Sequence, residues 1–96
     1  MNVELASLRS KINVIDDEIL SLLTTRASLL SDVLKVKLNS LSNDQINIVD
    51  PKREAAILKR LVKQNTSELP GAAIVSIFKT IISACRNLQL NQRDNG

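Results

Sequence analysis

Arg26 stands where an apolar residue is expected. It occupies the same column of a seven-residue repeat as Leu5, Ile12, Ile19 and Val33, and a guanidinium held against apolar side chains is costly unless it meets an anion. The spacing leaves alternatives open. Arg26 snorkels to the surface, pairs with a carboxylate such as Asp16 or Asp17 of another helix, fixes the register of paired helices, or binds an anionic ligand. Arg9 and Lys37 lie four heptads apart in the column beside it, so Arg9, Arg26 and Lys37 form a row of cations along one side of a helix. At about 1.5 Å per residue, Arg26 is roughly 16 Å from Lys37 and roughly 25 Å from Arg9. No small ligand spans Arg9 and Arg26 within one chain. If all three serve one site, Arg9 comes from a second chain running antiparallel, and a two-fold dimer carries two equivalent sites.

Further along, Arg53 and Glu54 precede Ile57 and Leu58 by about one turn, at the edge of an apolar face. Each also reads as an ordinary first-turn surface residue, with Glu54 favoured there by the helix dipole. Cys85 and Gln89 sit four apart, in line with Phe78 and Ile81. A buried amide requires partners, which makes Gln89 the odder of the two. With no histidine in the chain to activate it, Cys85 reads as a small core residue and thiol catalysis is rejected.

Composition narrows the chemistry. The 96 residues make one domain and bury too little surface alone, so association is an expected source of stability. The absence of histidine and the single cysteine exclude metal ligation, Ser-His-Asp chemistry and a disulfide framework. A net charge of +3 with one aromatic residue, Phe78, argues against nucleic acid. No signal-like run and no stretch of about 18 apolar residues points to a membrane, so the cytoplasm is the default.

The elements that must position these groups are helices. Leu5, Leu8, Ile12, Ile15, Ile19, Leu22, Leu29, Val33 and Val36 alternate spacings of three and four, which predicts one long helix from Val3 to about Leu41. The polar run Asn39 to Gln45 predicts a loop. Asp50-Pro51 predicts a capped start for a second helix that reaches about Gln64 and buries Ile57, Leu58, Leu61 and Val62. Pro70 opens a third, with Ile74, Ile77, Phe78, Ile81, Ile82, Cys85 and Leu88 buried, to about Leu90. The expected result is a single domain over residues 1–96 with a frayed tail at 91–96.

Three runs carry a resemblance: LRSKINVIDDEILSLLTTRASLLSDVLKVK, DPKREAAILKRL and IFKTIISACRNLQ. Together they resemble the all-helical class of chorismate mutases, from Leu8 to Gln89. The resemblance implies an all-α fold of three helices per chain, an intertwined homodimer, and an isomerase that converts chorismate to prephenate on the route to phenylalanine and tyrosine. It implies that Arg26 and a partner-chain Arg9 hold the two substrate carboxylates, and that Lys37 and Gln89 donate to the ether oxygen of the breaking bond. Glu54 and the backbone around Asp50 would bind the ring hydroxyl, with Arg53 in support. Cys85 falls where the family pattern has a serine contacting a carboxylate, and a thiol is a weaker donor. The loop between Lys37 and Asp50 is longer than that pattern.

A unimolecular rearrangement requires no nucleophile, general base, metal or cofactor, so the lack of histidine is no obstacle. Because Gln89 is an amide, activity is expected to persist at neutral to mildly alkaline pH. Two competing readings remain: pyruvate-lyase activity on isochorismate, and a non-catalytic helical dimerisation module. Nothing here resembles a dehydratase, dehydrogenase or amino-acid-sensing domain, so no feedback regulation is expected.

Overall fold

The computed structural model describes residues 2–40 and 46–95. Over these the chain is all-helical, in the order α1 (Val3–Ser40), α2 (Pro51–Gln64) and α3 (Gly71–Asn95). The Asn2 side chain caps α1, its Oδ1 accepting the Leu5 amide at 3.2 Å and satisfying one of the orphan donors at the helix start. With no proline or glycine before Pro51, α1 continues for 38 residues. At 1.5 Å per residue this is about 57 Å, close to the 60 Å long axis of the molecule.

Asp50 and Pro51 begin α2 as their types predict. The Asp50 carboxylate accepts the Arg53 amide at 3.1 Å, and Pro51 sits in the first turn, where no donor is needed. Asn65 closes α2 and builds the turn that follows. Its Nδ2 donates to the Leu69 carbonyl at 2.7 Å, and its Oδ1 accepts from the Ser67 amide and hydroxyl at 3.0 and 2.6 Å. Asn65→Ala removes all three and is expected to lower unfolding stability by about 1–2 kcal/mol in urea titrations. No change at the urea midpoint would show that the turn forms without them.

Helix α3 packs on both α1 and α2. Leu34, Ile46, Ile82, Cys85 and Gln89 are buried, and half-buried Leu23, Ala27 and Leu30 continue the inner stripe of α1. This stripe, spaced by three and four, is not the heptad seam. Every seam residue is exposed within the chain, from 43% at Val33 to 69% at Leu22, and residues 3–22 have no buried member. The radius of gyration, 17.4 Å, exceeds the roughly 12.5 Å of a compact chain of this length. Ile77, Leu88 and Val62 are exposed too, not buried as their spacing predicts.

Two boundaries differ from expectation. Asn39 and Ser40 belong to α1 rather than to the loop; the remainder of that loop, 41–45, lies outside the described residues. Helix α3, expected to end near Leu90, runs on to Asn95. Ser31 of α1 donates to Gln92 at 3.0 Å, which ties the last turns to α1. By length and composition α3 could cross a membrane, a property that counting uninterrupted apolar residues misses. Yet it carries Lys79, Arg86 and Gln89 along its length, and its buried residues face α1 and α2. That is the pattern of an amphipathic core helix.

Candidate active site

Where α3 crosses α1 and α2, a half-open cavity of about 120 Å³ is lined by Arg26 and Leu30 of α1, Ile48 and Asp50 of the connector, Arg53, Glu54 and Ile57 of α2, and Ile82, Arg86 and Gln89 of α3. Each element contributes for a local reason. The cap at Asp50 fixes the first turn of α2, which aims Arg53 and Glu54 at the same opening. Ile82, Arg86 and Gln89 recur at four and three residues, so they share one face of α3.

Arg26 is half-buried, and its Nη1 is buried with no hydrogen-bond partner among the described residues. A guanidinium donor in this state is a standing cost that an oxyanion would remove. Asp16 and Asp17 do not line the cavity. Gln89 is 9% exposed, and its Nε2 donates to the Leu30 carbonyl at 3.0 Å. This bond orients the amide and uses one of its two donor hydrogens; the other has no acceptor among the described residues. Glu54 does not stand alone: Arg86 Nη1 donates to its two carboxylate oxygens at 3.1 and 3.4 Å.

The chain thus brings together five of the residues singled out in the sequence: Arg26, Asp50, Arg53, Glu54 and Gln89. Three others stand apart from the cavity. Lys37 donates its Nζ to the Asn47 carbonyl at 3.1 Å, holding the connector against α1. Cys85 is a buried free thiol and lines an apolar groove between α1 and α3 with Leu23, Ala27, Ile81 and Leu88. Arg9 is exposed on the uncovered half of α1. Arg86 was not anticipated as a site residue, although its position four after Ile82 and three before Gln89 puts it on the same face.

Cationic donors around a small cavity, one of them unsatisfied, suit a compact anion. Three guanidinium groups, Arg26, Arg53 and Arg86, face two carboxylates, Asp50 and Glu54.

Known proteins are similar to this chain in sequence and in fold. The family model for chorismate mutase type II matches residues 8–90. The chorismate mutase of Methanocaldococcus jannaschii is 39% identical over 90 residues, covering 90% of this chain and 84% of that protein. A bifunctional chorismate mutase/prephenate dehydratase of Pseudomonas aeruginosa is 31% identical over 87 residues; the match covers 90% of this chain but spans only 24% of the longer relative. Among solved structures, Helicobacter pylori chorismate mutase in complex with prephenate superposes with a TM-score of 0.81 at 27% identity, covering 94% of this chain and 93% of that one. By sequence and by fold alike, the chain belongs to the chorismate mutase family, in its type II class.

Proposed function

We propose that this chain catalyses the rearrangement of chorismate to prephenate at the cavity around Arg26, in a two-fold dimer. The observation that carries this reading is the buried Nη1 of Arg26, unpartnered among the described residues, in one cavity with the oriented amide of Gln89, in a chain of this family. In the reaction one ether C–O bond breaks as one C–C bond forms. No proton or electron is exchanged with the protein, and no cofactor is required. Two tasks are left to the side chains: to hold a flexible dianion in its compact reactive shape, and to stabilise charge that develops on the ether oxygen.

Arg26 clamps one carboxylate and Arg9 of the partner subunit the other. Gln89 donates its free amide hydrogen to the ether oxygen, and Lys37 joins it by leaving the Asn47 carbonyl. Glu54 accepts the ring hydroxyl, the backbone at Asp50 assists, and Arg53 adds positive potential at the rim. Cys85, placed towards the apolar groove, contributes little beyond packing. Donors preorganised in a desolvated pocket contribute several kcal/mol each to a step of this kind.

The dimer is supported by surface. The chain exposes 7603 Å², against about 5,500 Å² for a monomer of its mass, and the excess of roughly 2,000 Å² is what an obligate interface buries from such chains. Pairing the seams of two α1 helices would cover that excess and bring Arg9 of one subunit towards Arg26 of the other.

The test is the fall in chorismate absorbance with purified protein, with isochorismate offered in parallel. Turnover of chorismate is expected; a folded, dimeric protein inert towards it would sink the proposal. Ile15→Asp, in the middle of the exposed seam, is expected to sediment as a monomer and to lose activity by orders of magnitude. A fully active monomer would show that each site is complete within one chain.

A further inference from the structure

We propose that Arg86 is a positioning residue for Glu54, and that by cancelling its charge it admits a dianionic substrate to a pocket walled partly by carboxylate. The inference rests on the assignment of chorismate to this cavity. It starts from a conflict: Glu54 is suited to accept a hydroxyl hydrogen, but an uncompensated carboxylate repels the two carboxylates of the ligand.

The geometry resolves the conflict. Arg86 spans two elements with its two terminal nitrogens. Nη2 donates to Ser83 Oγ at 3.1 Å, one turn back on the same helix, and Nη1 reaches across to Glu54 on α2. Anchored at one arm, the guanidinium holds the carboxylate in a fixed orientation. The pair is mostly shielded, with side-chain exposures of 29% for Arg86 and 24% for Glu54, so solvent screens it only in part.

Within this chain's own lining of the cavity, before Lys37 and the partner subunit's Arg9 are brought in, the charge balance depends on Arg86. Without it the lining would carry two guanidinium groups, Arg26 and Arg53, against two carboxylates, Asp50 and Glu54; with it the wall is net positive. The pair also acts as a partition. Glu54, Ile82 and Arg86 line a second, outer cleft together with Pro51, Lys79 and Ser83, so the bridge separates the inner cavity from that more open space. Losing it would join the two and let water reach the reacting bond.

The expected signature is a split between KM and kcat, read in a double-mutant cycle. Arg86→Ala should raise KM for chorismate roughly 10- to 100-fold, with kcat falling less. Arg86→Lys, which keeps the charge but not the fork, should recover a large part of that loss. In a Glu54→Gln background there is no carboxylate to neutralise, so adding Arg86→Ala should change KM by less than about threefold. A merely structural role predicts an equal penalty in both backgrounds, and that result, or an unchanged KM in the single variant, overturns the proposal. If Arg86→Ala fails to fold by circular dichroism, Arg86→Gln and Arg86→Lys provide the same comparison. A wild type inert towards chorismate overturns the substrate assignment and this inference with it; an active wild type with no coupling between Arg86 and Glu54 overturns the Arg86 role alone.

Discussion

Arg26→Ala and Arg9→Ala are each expected to turn over chorismate at least about 10²-fold more slowly than the wild type, the cost of leaving a substrate carboxylate unpaired in a confined site. Co-refolded in equal amounts, the two variants should recover about one quarter of wild-type activity. Random pairing makes half of the dimers mixed. In each mixed dimer one site has lost both arginines and the other retains both. No recovery, with mixed dimers demonstrated by mass spectrometry, would mean that no site is built from Arg26 of one chain and Arg9 of the other; a fully active Arg9→Ala would mean that Arg9 has no role. Stability should move differently from activity. Because the Arg26 Nη1 is buried without a partner among the described residues, Arg26→Met replaces an unsatisfied donor by an apolar chain of similar reach. It should unfold at the same urea concentration as the wild type or higher. A large loss of stability would indicate that Arg26 holds the fold rather than the ligand.

Gln89→Glu should make an activity that is flat with pH into one that rises as the solution is acidified. The wild-type amide does not titrate. A carboxylate in its place would face the Leu30 carbonyl that the amide now contacts at 3.0 Å and would lie in a buried position, and both raise its pKa. Charged, it can neither donate to the ether oxygen nor tolerate the dianion; protonated, it can donate. Loss of about 10²-fold or more in kcat/KM at pH 7.5, with partial recovery near pH 5, is the expected profile. A variant as active as the wild type at pH 7.5 would remove Gln89 from the ether oxygen.

Much of this architecture is legible in the chain because helices write their faces into spacing. The start of α2 follows from Asp50 and Pro51 alone, and α1 from an apolar repeat with nothing to break it. Arg26 is conspicuous because it violates that repeat, and the resemblance of the three runs led to the family that the relatives bear out. What the sequence hides has physical causes. Helix α1 carries two apolar stripes, and the seam, the more regular of them, is the one uncovered in the single chain; Leu23, Ala27, Leu30 and Leu34 make the inner one. The Glu54–Arg86 pair joins residues 32 positions apart, and the sign of a charge says nothing about which distant charge it meets. The tie from Lys37 to Asn47 lies in a connector with no periodicity, where a backbone carbonyl is as available as any side chain.

The first twenty residues of α1, from Val3 to Leu22, contribute nothing to a core of their own chain, and in the proposed dimer this would make folding a second-order reaction. Its final step would require an encounter, so refolding should speed up with concentration, and the unfolding midpoint should climb as more protein is added. The amount of active enzyme in a cell would then rise faster than the amount of polypeptide, with scarce chains left half-ordered and exposed to proteases.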